Sequence, residues 1–251
     1  MFYLKKIKIL CLILSFLMIS GCSDVSKDDN DKDLWIVGTS ADNPPYEFMQ
    51  DGKVVGFDID LANQIAKTLG KELEFRNMEF HGLLAALSSS NVDLVIAGLS
   101  VTPERLERVD FSVPYSQARI AFLYRTVDNF GSYKDLKNKV VGAQLGTIWS
   151  LVAHDLAGSS GFRVVTLASN LMLVEDLKSG RVDAVVLEDA QSAKFISIYE
   201  DLSKFMAKDL NSSFAIALPK GSGNKEAIDK AIIQLQNNGV IDALKKKWGL
   251  F

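Results

Sequence analysis

LLAALSSSNVDLVIAG (residues 83–98) and LVEDLKSGRVDAVVLE (residues 173–188) follow the same plan. Each stretch reads as a helix, a turn of small residues, the pair Val-Asp and an apolar strand. Asp93 and Asp183 lie 90 residues apart, which is too far for the repeat of a solenoid. Two α/β lobes of similar plan are therefore expected, although helix–turn–strand units can also resemble each other by chance.

The rest of the chain after the first 33 residues alternates β-rich runs with helical runs. Residues 34–39 (LWIVGT) read as a strand, and Leu61, Ile65 and Leu69 recur every four residues in a helix that ends at Gly70. This alternation predicts an α/β fold, in which each lobe is a mixed, mostly parallel sheet with flanking helices.

Two extended apolar segments, residues 120–125 (IAFLYR) and 212–219 (SSFAIALP), flank the second copy of the plan. If both cross between the lobes as a two-strand hinge, the second lobe is an insertion into the first. We expect lobe 1 to comprise residues 34–123 and 216–251, and lobe 2 to comprise residues 124–215.

The N-terminus has the features of a lipoprotein signal peptide (residues 1–21). Three lysines precede an apolar run, residues 9–19, that is too short to span a bilayer. The run leads to Ile-Ser-Gly-Cys22, which resembles the bacterial lipobox, where the cysteine is lipidated; an ordinary signal peptide with an incidental cysteine is the alternative. Residues 22–33 are polar and charged, and read as a flexible tether.

Composition and motifs argue against several classes of function. A net charge of −3 and a pI near 5.5 give no electrostatic basis for binding nucleic acid. The sequence has no HExxH, GxSxG or P-loop motif, and its two histidines, His81 and His154, lack the spacing of metal ligands. We therefore expect no catalytic residues, no metal and no cofactor.

The strand of the first copy ends in residues that suit an anion. Thr102 fits the N-cap of the next helix and Pro103 its first position, where free N–H groups attract negative charge. Arg105 adds a fork of donors that matches a carboxylate. Gly98 allows close approach of a ligand to the backbone, and Ser100 offers a hydroxyl. The alternative is a simple capped helix with Arg105 at the surface.

The strand of the second copy ends in a carboxylate, Glu188, which suits an ammonium group or could cap the next helix. Ligands of open α/β sheets bind at the carboxyl ends of the strands. A free α-amino acid carries a carboxylate and an ammonium group at a fixed separation, so the two strand ends together favour an amino-acid site. Phe80, which could equally be a core residue, and Thr147, at a further helix start, are other candidates.

GFDIDLANQIAKTL (residues 56–69) resembles the signature of the bacterial extracellular solute-binding proteins of family 3, the polar amino-acid receptors of ABC importers. The resemblance continues through PPYEF, VDLVIAGLSVTPERLERVDFS, VVGAQLGT, RVDAVVLED and GVIDALKKKWG, and covers nearly all of residues 34–250. It implies two α/β lobes, joined by two strands, that close on the ligand in the manner of the periplasmic binding protein type II fold.

The resemblance also implies roles for individual residues. Arg105 would bind the α-carboxylate, aided by Ser100 and by the backbone near Gly98 and Thr147. Glu188 stands where relatives usually have an aspartate that takes the α-ammonium group. The remaining positions would form an aromatic wall, Phe80, and set the side-chain specificity, Ser40, Asn43 and Gln144.

Two departures from the family pattern concern specificity. Many relatives have aspartate where this chain has Ser40 and an aromatic residue where it has Asn43, although Tyr46, Trp149 or Asp42 could substitute for the stacking residue. The first strand and Glu188 resemble arginine-binding members. Arginine is therefore the preferred ligand, and glutamine or another polar amino acid stays open.

These features together predict a non-enzymatic receptor anchored by lipid to a membrane, in the periplasm or at the cell surface. It would act as a monomer and pass a free polar amino acid to ABC permease subunits. The alternatives are an enzyme of the cyclohexadienyl dehydratase type, with Glu188 as general acid, and a sensor that signals to a membrane partner.

Overall fold

The computed structural model describes residues 33–250. The predicted signal peptide, the lipidation site Cys22 and nearly all of the tether lie outside the described residues. The strands are β1 (Leu34–Thr39), β2 (Asp42–Asn43), β3 (Glu47–Gln50), β4 (Lys53–Val55), β5 (Glu72–Asn77), β6 (Leu94–Val95), β7 (Val109–Phe111), β8 (Ser116–Arg125), β9 (Val140–Gln144), β10 (Arg163–Leu167), β11 (Ala184–Glu188), β12 (Leu202–Phe214) and β13 (Ala217–Pro219).

The α-helices alternate with these strands, as the sequence predicts. They are α1 (Phe57–Leu69), α2 (Leu83–Ser88), α3 (Pro103–Arg108), α4 (Ile148–Ser160), α5 (Asn170–Lys178), α6 (Asp189–Ile198), α7 (Lys225–Asn237) and α8 (Val240–Trp248). None of the helices between residues 33 and 250 has the length and apolar character needed to cross a membrane.

Two five-stranded mixed sheets form the two lobes. The first sheet has the order β5-β1-β6-β13-β7, and the second has the order β10-β9-β11-β8-β12. Three neighbouring strands of each sheet are parallel: β5, β1 and β6 in the first, and β10, β9 and β11 in the second. The remaining pairs, which include β13 in the first sheet and β8 in the second, are antiparallel. The two-lobe α/β fold predicted from the alternation of strands and helices is confirmed.

The chain crosses between the sheets twice, at residues 112–115 and 215–216. The two crossings bond to each other: the Tyr115 N–H donates to the Phe214 carbonyl at 2.9 Å, and the Ser112 N–H donates to the Ile216 carbonyl at 2.9 Å. β8 pairs with β11 and β12, and its pairing with β12 begins at Ser116. The second sheet therefore begins at Ser116, before the expected boundary at residue 123, because the whole apolar run of β8 belongs to that sheet.

The core of lobe 1 is built where α1 packs against α7. Phe57, Leu61 and Ile65 face the buried residues Ile228 and Ile232, all at most 2% exposed. Burial of this apolar surface is the main contribution to stability, at about 25 cal/mol per Å². The same packing fixes the start of α1 beside the small sheet β2-β3-β4, which carries residues of the site described below.

The backbone conformation just before α1 requires glycine at position 56. Its φ of 135° lies in a region that favours glycine, and a Cβ there would lie 2.1 Å from the Tyr46 carbonyl oxygen. That carbonyl accepts a hydrogen bond from the Asp58 N–H at 2.9 Å. The turn therefore sets Asp58 directly against β3.

Candidate functional site

A small cavity lies between the two lobes, where the strands of both sheets end. Both lobes contribute lining side chains, as expected for a ligand that bridges them. The lining residues are Asp42, Asn43, Glu47, Phe80, Ala97, Gly98, Ser100 and Arg105 from lobe 1, with Gln144, Thr147, Ile148, Trp149, Asn170, Glu188 and Phe214 from the second sheet and its helices.

The structure brings eight of the nine predicted site residues to this cavity. The exception is Ser40, which is buried behind the cavity and donates from its hydroxyl to Asp42 Oδ1 at 3.5 Å. The predicted residues meet because caps and strand ends are local features, and the topology then places them at one edge of each sheet.

Arg105 is held in place by backbone carbonyls rather than by an acid. Its Nη1 donates to the Ser100 carbonyl at 2.6 Å, and its Nη2 donates to the Gly146 carbonyl of lobe 2 at 2.9 Å. Burial lowers the pKa of the guanidinium to about 10. The Thr102 hydroxyl caps α3 and accepts from the Arg105 N–H at 3.2 Å, as predicted. The guanidinium therefore lines the cavity and forms no salt bridge with the residues that the structure describes.

Glu188 caps α6, one of the two roles considered from the sequence, and it also lines the cavity. Its Oε2 accepts from the N–H groups of Ala190 at 2.6 Å and Gln191 at 3.1 Å. Its Oε1 has one long contact, 3.5 Å from the Arg119 N–H. Burial raises the pKa of Glu188 to about 7, against the lowering effect of these N–H groups.

Asp42 lines the cavity, although the sequence analysis names it only as a possible substitute for the missing stacking residue. Its carboxylate reaches from lobe 1 to lobe 2, where Oδ2 accepts from the Asn170 N–H at 2.7 Å and from Gln144 Nε2 at 3.0 Å. Burial raises the pKa of Asp42. No local signal marks this role, because its partners lie 102 and 128 residues away; its place three positions after the end of β1 is a weak hint.

Aromatic side chains close the cavity. The guanidinium carbon of Arg105 lies 5.7 Å from the ring centre of Phe80, within the range of a cation–π contact. Trp149 packs edge-on against Phe214, with ring centres 6.5 Å apart. Trp149 and Phe214 supply the apolar surface that Asn43 does not, and the stem of an amino-acid side chain can pack against them.

Gly98 and Asn43 are in tight contact at the floor of the cavity. Gly98 has a φ of 52°, and a Cβ there would lie 2.8 Å from Asn43 Nδ2. The Gly98 N–H donates to Asp58 Oδ2 at 2.8 Å. The position therefore requires glycine, and the backbone at the end of β6 is directed by a buried acid behind it.

The chain is similar to known binding proteins over most of its length. It is 37% identical over 238 residues to the arginine-binding extracellular protein ArtP of Bacillus subtilis, an alignment that covers 94% of this chain and 93% of the relative.

Solved structures extend this likeness to the fold. An amino-acid ABC transporter substrate-binding protein, AbpA of Streptococcus pneumoniae, bound to L-arginine, superposes with a TM-score of 0.81 at 38% identity, over 86% of this chain and 94% of the other. An ancestral arginine-binding protein bound to glutamine gives a TM-score of 0.83 at 37% identity, over 88% and 99%.

The family is settled by a match over nearly the whole described chain. Residues 35–251 match the model of the bacterial extracellular solute-binding proteins, family 3. This match agrees with the two-lobe fold, the interlobe cavity and the relatives above. The chain therefore belongs to the bacterial extracellular solute-binding proteins, family 3.

Proposed function

We propose that this protein binds L-arginine between its lobes and delivers it to an ABC importer. The observation that carries the proposal is the balance of charge in the cavity: apart from Glu47, which accepts a hydrogen bond from Asn43, the half-buried Asp42 and the buried Glu188 stand against one guanidinium, Arg105. A ligand with one negative and two positive groups neutralises all three. An amino acid with a neutral side chain leaves one buried carboxylate without a counter-ion, which is unfavourable.

Each charged group of arginine has a partner in this arrangement. The α-carboxylate pairs with Arg105, near Ser100 and the N-terminus of α4 at Thr147. The α-ammonium pairs with Glu188 Oε1, which has spare accepting capacity. The side-chain guanidinium pairs with Asp42, an acid two residues after Ser40, the position where many relatives have aspartate.

Similar proteins support arginine as the ligand, and one of them shows that the fold also accommodates another amino acid. Proteins named as arginine-binding are among the similar sequences and structures, while the ancestral protein was also obtained with glutamine. The family consists of solute-binding proteins rather than enzymes, so the dehydratase alternative is set aside. The negative charge of Asp42 favours arginine, whose side chain is positive, over glutamine, whose side chain is neutral.

Closure of the lobes is the proposed mechanism. Arg105 already contacts Gly146, and Asp42 contacts Asn170, across the cleft. A ligand held by Arg105 and Asp42 on one lobe and by Glu188 on the other stabilises the closed arrangement over the open one. The closed form then presents both lobes together to permease subunits, and the receptor acts as a monomer.

A screen of the twenty amino acids by thermal shift tests the ligand. We expect L-arginine to raise the melting temperature most, with lysine and histidine next and glutamine lower. At 100 times the dissociation constant, binding adds about 2.7 kcal/mol, or roughly 5–10 °C for a chain of this size. A larger shift with any neutral amino acid would contradict the proposal.

We also propose that affinity for arginine falls in acid through Glu188. Its pKa is raised to about 7, so below that pH the free protein holds a proton that the ligand ammonium must displace. Affinity should be nearly constant above pH 8 and should decrease by up to about tenfold per pH unit below pH 7. Calorimetry in buffers of different ionisation enthalpy should record release of about one proton at pH 6. The Glu188→Gln variant should bind weakly with no such dependence, and flat affinity from pH 5.5 to 8 in the unaltered protein would overturn the assignment.

Export and anchoring at Cys22 complete the proposal. The lipobox-like sequence before Cys22 and the polar tether after it suit a receptor held at a membrane. Labelling cells with a radioactive fatty acid should mark the protein, and Cys22→Ala should remove the label while binding of arginine persists. Retention of the label in this variant would refute lipidation at Cys22.

A further inference from the structure

Two acids lie in contact beneath the cavity and have no exposure to solvent. Glu47 of β3 and Asp58 of α1 are both 0% exposed. The two carboxyl groups interact, and one oxygen of each, Glu47 Oε2 and Asp58 Oδ1, has no hydrogen-bonding partner among the residues that the structure describes. Two ionised carboxylates buried together repel each other, and one proton shared between them removes this repulsion and gives both oxygens a partner.

The outer oxygens of the pair face the site. Glu47 Oε1 accepts from Asn43 Nδ2 at 2.9 Å. Asp58 Oδ2 accepts from the Gly98 N–H at 2.8 Å and from the Tyr115 hydroxyl at 2.8 Å. Asn43 and Gly98 line the cavity, and Tyr115 lies in the first crossing between the lobes.

The surroundings also favour a retained proton. The groups that face the pair are the acid Asp42 of β2 and the phenols Tyr46 and Tyr115. Arg105 and Glu188 line the same cavity as Glu47. Burial, with the neighbouring Asp58, raises the pKa of Glu47 well above its ordinary value.

We propose that Glu47 and Asp58 share a single proton and act as positioning residues that hold Asn43 and the Gly98 N–H at the floor of the cavity. Glu47 is the donor within the pair, and Asp58 accepts from it while it binds Gly98 and Tyr115. The role in binding rests on the proposed function, whereas the shared proton does not.

Amide substitutions test this arrangement, because an amide copies a protonated carboxyl. In Glu47→Gln the new Nε2 donates to Asp58 while Oε1 still accepts from Asn43. In Asp58→Asn the new Oδ1 accepts from Gly98 and Tyr115 while Nδ2 donates to Glu47. Each single variant should keep its affinity for arginine within about threefold, whereas Glu47→Ala and Asp58→Ala should lose tenfold or more.

The double variant Glu47→Gln/Asp58→Asn places two donors against each other and should be much less stable than either single variant. Non-additive loss of this kind is the signature of a shared proton. Equal losses in the amide and alanine variants, or a double variant as stable as the singles, would overturn the proposal.

Stability against pH supplies a measurement without any ligand. The folded pair keeps a proton that the unfolded chain releases near pH 4–5, so stability against urea should fall as pH rises above about 5. The Glu47→Gln variant should show a smaller decrease, because its donor cannot ionise. The same slope in both proteins would show that Glu47 holds no proton. Failure of arginine to bind would leave this result unchanged, so the two proposals fail separately.

Discussion

Replacing Arg105 with alanine should reduce affinity for arginine by roughly 150- to 5,000-fold. The change leaves the α-carboxylate of the ligand in a water-excluded cavity without its cation, and removal of one partner of a buried ion pair costs about 3–5 kcal/mol. Calorimetric titration of the purified protein measures the loss directly.

The position of Arg105 explains why the effect falls on binding rather than on folding. Its donors within the protein reach two backbone carbonyls, those of Ser100 and Gly146, and its guanidinium is desolvated enough to lower its pKa to about 10. A buried cation of this kind is favourable only when an anion arrives. Removal of the guanidinium therefore stabilises the free protein and destabilises the complex with the ligand.

Arg108 provides a matched control on the same helix. It is exposed and lies in the outer groove beside α4 rather than in the cavity. Arg108→Ala should bind arginine as the unaltered protein does, and both variants should unfold at temperatures close to that of the parent. A folded Arg105→Ala protein that binds arginine within about tenfold of the parent affinity would disprove the assigned role.

Much of the fold follows from patterns that act over a few residues. The four-residue spacing of Leu61, Ile65 and Leu69 and the cap at Thr102 with Pro103 depend on local geometry, which the sequence records directly. The parallel strands then bring separate strand ends together. That is why eight predicted residues meet at one cavity.

The cross-lobe contacts could not be predicted in the same way. Asp42 meets Asn170 only because one lobe lies against the other, and nothing near either residue encodes that approach. Ser40, expected from the family pattern to set specificity, does not line the cavity, whereas Asp42, two residues further along the chain, does.

The buried acid pair illustrates a second limit. Glu47 lies between Tyr46 and Phe48, and Asp58 lies between Phe57 and Ile59, but acids are almost never fully buried without a partner. Their burial becomes visible only when α1 packs on β3 and both carboxyl groups lose solvent together. A pair of residues that meets only through contact between distant elements is not marked by any periodic pattern in the sequence.

Replacing Asp42 with asparagine should reduce affinity for arginine by roughly 10- to 150-fold, while affinity for citrulline changes little by comparison. Citrulline has nearly the shape of arginine but carries a neutral ureido group, so only arginine loses a charge-assisted bond, worth about 1.5–3 kcal/mol. The measurement is the ratio of the two dissociation constants in each protein.

The ratio is needed because Asp42 also joins the lobes. Asparagine weakens the contacts with Gln144 and Asn170, and this lowers affinity for every ligand alike. A loss common to arginine and citrulline therefore reports closure, and a loss confined to arginine reports recognition of the guanidinium. Asp51→Asn, a change of the same charge at an exposed turn of lobe 1, should leave both affinities unaltered. An unchanged ratio in Asp42→Asn would mean that Asp42 only joins the lobes, and the cation of the ligand would then need another partner.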